Sequence, residues 1–265
     1  MNKLSEADWQ QYQAEGYLRL GRVGQLEDVS ALAQRLDEIM LGNADINYDK
    51  TLMQLDSTDG AYESAGEQSL GHKGATLNYR KIEQLEFDPL FLAYMQQPVF
   101  QEIAERIYPS MNVACFRAMF MNKPANRGTV LPVHQDRWNW LDRDPLITIY
   151  LAIDPATIAN GCVEIVPGSH HRLLNPEHDS GYLTPEMAEP YRDASSRLAL
   201  ELAEGEVVLL HNWTLHSSGV NQTSKSRRAF SFCLMDADTR FVQHPETLAS
   251  KRIIFGEHAM SPISL

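Results

Sequence analysis

At 265 residues, 43% of them apolar, the chain can bury one large core, and a single domain over residues 1–265 is the expectation. A formal net charge of -12, with no basic group longer than Lys225 to Arg228, argues against nucleic acid and anionic membrane as partners, because both require an extended basic face. Three scattered cysteines, Cys115, Cys162 and Cys233, suit neither a disulfide framework nor a thiolate zinc site and read as buried free thiols. The polar amino terminus and the lack of a bilayer-length apolar run place the protein in the cytoplasm.

In chain order, Ser5 and Asp8 before Trp9 and Tyr12 predict a capped helix that Gly16 ends, after which Tyr-Leu-Arg-Leu begins an extended segment. Over residues 26–41, Leu26, Val29, Leu32, Ala33, Leu36, Ile39 and Met40 recur at three- and four-residue intervals, predicting an amphipathic packing helix. Residues 42–76 show little periodicity and many turn-formers, and read as a long irregular loop able to cover a site. A helical stretch comes next from Asp88-Pro89, interrupted at Pro98 and stopped by Pro109.

Beyond residue 110 the apolar runs become short and strand-like, at 112–121, 146–153, 162–166, 206–211 and 228–235. Residues 172–200 read as an insertion between strands. The expected class is therefore mainly β with flanking helices (α+β), a helical part over about 1–110 preceding a β core over about 111–240, rather than a parallel nucleotide-binding sheet.

His134-Gln135-Asp136 sets an imidazole and a carboxylate two residues apart, which in extended backbone places both on one face. With His216 from a distant strand they form two nitrogens and one oxygen, the set that holds non-haem Fe(II) and leaves positions open. No His-Glu-x-x-His zinc motif is present. On its own a His-x-Asp pair is common, and nine histidines offer many partners. The stretch after His216 is more specific: Ser217-Ser218-Gly219-Val220-Asn221 and then Arg227, eleven residues on. An always-charged planar guanidinium there can grip the distal carboxylate of a dicarboxylic cosubstrate.

Together, His134-Gln135-Asp136, the run from Asn160 to His170 and the segment from His216 to Arg228 resemble the phytanoyl-CoA dioxygenase family. The resemblance is close over roughly residues 112–235. It implies a double-stranded β-helix (jelly-roll, cupin-like) core, Fe(II) on His134, Asp136 and His216, and 2-oxoglutarate as cosubstrate. By the same resemblance Arg227 anchors the 5-carboxylate, and Ser218, Gln135 and Met119 help to line the cosubstrate site. It departs at Leu151, where the family has a tryptophan, and the retained Asp136 argues against halogenation. The implied reaction is hydroxylation of a small molecule with dioxygen, releasing succinate and CO2.

Trp138, Trp140, Asn78 and Arg80 are the candidates for binding substrate, the first two for apolar surface beside the metal and Arg80 as partner for an acidic group. Arg228 competes with Arg227, since adjacent strand residues face opposite ways. His211, His170 and His171 read as structural, the last two as solvent-facing turn residues after Pro-Gly-Ser. A cupin-like metal enzyme without 2-oxoglutarate, another metal-dependent hydrolase or isomerase, and a non-catalytic binding protein of the same fold stay open as alternatives. None of these needs Ser218 and Arg227 together.

Overall fold

The computed structural model describes residues 3–108, 110, 112–191, 193–242 and 252–261. The first helix, α1 (Glu6–Glu15), starts at a reciprocal capping box in which Ser5 Oγ accepts from Asp8 N and the Asp8 carboxylate accepts from Ser5 N. It stops at Gly16, whose φ of 77° is left-handed and whose missing Cβ avoids Thr214 and His170. Strand β1 (Tyr17–Arg22) and helix α2 (Leu26–Leu41) come next, and α2 buries Val29, Leu32, Leu36, Ile39 and Met40 on its apolar stripe.

The segment expected as an irregular loop carries two strands, β2 (Leu52–Leu55) and β3 (Ser69–Leu70), ahead of β4 (Tyr79–Glu83). Helices α3 (Pro89–Met95) and α4 (Pro98–Ile107) both begin with proline, where a missing N–H costs nothing. Pro109, expected to stop the second of them, lies outside the described residues. Strands β5 (Val113–Lys123), β6 (Leu131–His134), β7 (Ile147–Ala152) and β8 (Val163–Ile165) succeed them. After helix α5 (Pro185–Ala188) the chain adds β9 (Leu198–Ala199), β10 (Glu206–His211), β11 (His216–Ser218), β12 (Arg227–Asp236) and β13 (Arg252–Phe255).

Two antiparallel sheets result, a nine-stranded one in the order β1-β10-β7-β12-β5-β4-β2-β3, with β13 also on β5, and a four-stranded one in the order β6-β11-β8-β9. The fold is thus mainly β with a few helices, as expected. The expected division near residue 110 needs correction: β1 pairs with β10 and β4 with β5, so strands from the front of the chain extend the sheet built behind it.

Strand alternation explains why β7 is buried throughout. Ile147, Ile149 and Leu151 join Phe230, Phe232, Leu36, Phe91 and Phe100 in the core between the large sheet and the helices. Tyr150 and Ala152 face the other way, into a second core with Val163, Ile165, Leu200 and Val208 between the two sheets. The Phe91 and Phe230 rings lie 4.8 Å apart, and each such fully buried side chain stabilises the fold by about 1.5–3 kcal/mol. Among the described residues no helix is long and apolar enough to cross a membrane.

Candidate metal centre and its cavity

β6 ends on His134 and β11 begins on His216, and the antiparallel register sets these two residues directly opposite one another. Their ring centroids are 4.1 Å apart. His134 Nδ1 lies 2.8 Å from Pro132 O and His216 Nδ1 lies 3.0 Å from Thr214 O. A carbonyl can only accept, so each Nδ1 carries the proton and each Nε2 keeps a free lone pair. Asp136, two residues beyond His134, is fixed by its N–H donating to Asn212 O at 2.7 Å. Its carboxylate stands 3.7 Å from His134 Nε2 and 3.9 Å from His216 Nε2, and one donor atom from each of the three residues falls within 4.8 Å of the others.

Electrostatics favour the ligand forms of these groups. Burial, reinforced by the neighbouring His216, pushes His134 down to about 3, so its imidazole is neutral at physiological pH. Burial raises the Asp136 carboxyl, but the imidazoles of His216 and His134 and the cations Arg117 and Lys81 outweigh it and hold the group below its ordinary value. Tyr182 stacks on the His134 ring at 4.7 Å and 11°, and its hydroxyl is 2.9 Å from that of Tyr62. Two imidazole nitrogens and a carboxylate gathered on one side of an open space suit a divalent metal with positions left for other ligands.

The triad opens into a cavity of about 500 Å³, within the range of small-molecule sites. Arg227 and Lys123, opposite each other in the β12–β5 register, form one end of it. The Arg227 guanidinium donates to Tyr150 Oη and Gly161 O, both at 2.8 Å, while its buried Nε–H has no acceptor. Such a buried donor is costly unless a ligand satisfies it, and a carboxylate would. Burial and the neighbouring cations Arg227 and Arg80 push Lys123 down to about 6, and its amine donates to Thr129 O. Arg228 faces the other way and pairs with Asp154 and Asp37.

Of the other candidates, Met119, Ser218, Trp138, Trp140 and Arg80 line the cavity. Gln135 does not. Alternation turns its side chain away from the two ligands that flank it, and its amide is consumed by Arg172 O at 2.8 Å, Trp213 O at 2.7 Å and Leu174 N at 2.8 Å. Its position is structural. Asn78 is also removed from the cavity, being exposed just ahead of β4.

Leu151 belongs to the core under the helices, and it is Tyr150 beside it that reaches the cavity. His170 is buried, contrary to the expectation of a solvent-facing residue, because it sits against α1 with its Nε2 3.1 Å from Gln13 O. Lining residues that the sequence did not single out include Tyr62, Lys81, Glu83, Arg117, Lys123 and Tyr182. Arg117 and Lys123, two charges six positions apart in the largely apolar β5, were the available signal; nothing periodic marks Tyr182.

A profile of the Phytanoyl-CoA dioxygenase (PhyH) family matches residues 12–229. A probable phytanoyl-CoA dioxygenase of Caenorhabditis elegans is 25% identical over 232 residues, covering 83% of this chain and 72% of that protein. The phytanoyl-CoA dioxygenase of Arabidopsis thaliana is 24% identical over 248 residues, covering 86% and 87%. Among solved structures, the epimerase SnoN in complex with Fe3+, alpha ketoglutarate and nogalamycin RO has a TM-score of 0.67 at 18% identity, covering 98% of this chain and 95% of its own. EctD from S. alaskensis with 2-oxoglutarate and 5-hydroxyectoine also gives 0.67, at 15% identity, covering 98% and 86%. These structural likenesses speak to the jelly-roll fold. Since the profile spans most of its length, the chain belongs to the phytanoyl-CoA dioxygenase family and is an Fe/2-oxoglutarate-dependent oxygenase.

Proposed function

We propose that this enzyme hydroxylates a small polar organic molecule, with Fe(II) held by His134 Nε2, Asp136 and His216 Nε2 and 2-oxoglutarate anchored at Arg227. One observation carries this reading: the three donor atoms converge within 4.8 Å on a cavity that also contains a buried arginine whose Nε–H lacks an acceptor. Iron with 2-oxoglutarate supplies the oxidation of a C–H bond by dioxygen, coupled to loss of CO2 and formation of succinate.

The protein's part is to hold and to exclude. Pro132 O and Thr214 O fix the tautomers of the two imidazoles, and Tyr182 holds the His134 ring in plane. Arg227, steadied by Tyr150 and Gly161, presents its guanidinium to the distal carboxylate of the cosubstrate. Ser218 and Met119 stand on the same lining as neighbours of that carboxylate chain. Trp138, Trp140 and Arg80 supply apolar and charged surface for the substrate. A cavity of about 500 Å³ would leave the coenzyme moiety of an acyl thioester outside, which favours a small substrate.

The test is a substrate screen under 18O2 scored by succinate. One labelled oxygen atom in the product for each succinate released is expected. Metal binding with no succinate from any compound, or turnover that persists without dioxygen, would sink the reading.

A further inference from the structure

The cavity carries a second guanidinium, Arg117, well apart from Arg227 along β5. On β5, Arg117, Met119, Met121 and Lys123 all face the cavity. In the register with β12, Lys123 lies opposite Arg227 and Arg117 lies opposite Cys233. Lys123 is six positions on from Arg117, roughly 20 Å along the strand. A five-carbon diacid with one end on Arg227 and the other at the metal ligands does not also reach Arg117.

Arg117 is a cation short of partners. Its Nε–H is buried without an acceptor. Of the two carboxylates whose charge reaches it, Asp136 belongs to the triad, and Glu83, 3.8 Å from Arg117 Nη1, is already engaged by Lys81 Nζ at 2.7 Å and by the Gln68 amide at 2.9 Å. Lys81 and Arg117 therefore share Glu83, and Lys81 holds the closer contact. The Arg117 guanidinium lies 5.1 Å from the Trp138 ring and 6.0 Å from that of Phe116, so aromatic faces hold it in place. Arg80, by contrast, is already occupied: it donates to Gln54 Oε1 at 2.7 Å and covers the Tyr62 ring. A guanidinium with a buried, unpaired Nε–H, next to flat aromatic surface, is a receptor for an oxyanion attached to an apolar body.

We propose that the substrate carries an anionic group, a carboxylate or a phosphoryl oxyanion, that docks on Arg117 while its carbon body lies against Trp138 and Phe116. This rests on the oxygenase reading above and narrows it. Arg117 is then the residue that selects acids over neutral molecules, in a chain whose overall charge of -12 would repel them.

The test uses anaerobic protein loaded with Fe(II) and saturating 2-oxoglutarate, so that the cosubstrate site is filled. It is titrated with small aryl and alkyl carboxylic acids, each paired with its primary amide and with the corresponding phosphonic acid, and binding is read by calorimetry and by melting temperature. The wild type is expected to prefer acids over their amides by about tenfold or more, the phosphonic arm showing which oxyanion fits. Arg117→Gln should erase that preference, and Arg117→Lys should restore part of it. In both variants 2-oxoglutarate affinity should stay within about twofold of wild type, which also reports that they fold.

The proposal is overturned if no acid binds the wild type, if Arg117→Gln keeps the preference, or if Arg117→Gln loses 2-oxoglutarate to the same degree as acids. Succinate release in air separates the two readings. Acid-selective binding without any succinate defeats the oxygenase function and leaves the anion site standing. Succinate from neutral substrates, undiminished in Arg117→Gln, defeats the anion site alone.

Discussion

The two ends of the cavity are built differently. At the metal and Arg227 end every key side chain comes from a paired strand or the segment just past one: His134 opposite His216, Asp136 tied to Asn212, and Arg227 opposite Lys123. At the other end, around Arg117 of β5, the lining includes Trp138 and Trp140, which lie outside the strands and are packed by their rings against Phe116 rather than by strand register. Backbone ladders fix positions to a fraction of an ångström, whereas ring packing tolerates substitution. The triad and Arg227 therefore sit on register, whereas the aromatic surface proposed for the substrate is replaceable around a register-held Arg117.

Breaking the register-built end should have the largest effect. His216→Ala removes one of three ligands, and metal affinity measured by calorimetry should fall by more than about 100-fold, the upper figure for merely outer partners, with succinate release at background. Arg227→Gln should leave metal affinity near wild type but raise the KM for 2-oxoglutarate by about 30-fold or more, since a buried charged partner is removed. Equal losses in metal and cosubstrate binding would show that Arg227 supports the fold and not the cosubstrate.

Gln135 sharpens the comparison because it lies between two ligands and still faces away. Gln135→Ala should lower stability by about 2 kcal/mol or more in chemical denaturation, leaving three backbone partners unserved, with 2-oxoglutarate affinity unchanged. Selective loss of cosubstrate binding would contradict that assignment. At the substrate end, Trp138→Leu should raise the substrate KM by about five- to tenfold while sparing both metal and 2-oxoglutarate.

The smallest effect concerns His211, which burial and the neighbouring His170 and His171 push down to about 4. The unfolded chain takes up a proton there near pH 6.5 that the folded chain refuses until about pH 4. Stability of the metal-free protein should therefore fall as pH falls across that window, and His211→Gln should flatten the decline by roughly one proton's worth of slope. An unchanged slope in thermal melts would place the titration elsewhere.

How much could be read from the sequence divides along the same line. Helix α2 was legible in its bounds and in Val29, Leu32, Leu36, Ile39 and Met40, because one face meets apolar core and the other meets water, while Leu26 in its first turn is exposed. So were β7 and β10, which are largely apolar because both faces are buried. β4, β6 and β11 were not. Their inward residues, Lys81, Glu83, His134, His216 and Ser218, face a polar cavity and so lack the apolar alternation that marks a strand. The functional strands were hidden by their function. His134, Asp136, His216 and Arg227 were still singled out, through their spacing and the family resemblance, and the structure brings all four to one cavity. Asn78 and Gln135 were misplaced since neither the loop path nor the crossing contacts of a buried amide are written locally.

The most direct test of the central claim is an anaerobic titration of Fe(II) and 2-oxoglutarate into the metal-free protein, monitored by visible absorption. A weak charge-transfer band that requires both additions, is absent in His216→Ala, and in Arg227→Gln needs far more 2-oxoglutarate to appear is the predicted result. A band that forms in His216→Ala, or wild-type protein that binds Fe(II) yet gives no band at any 2-oxoglutarate concentration, would contradict it.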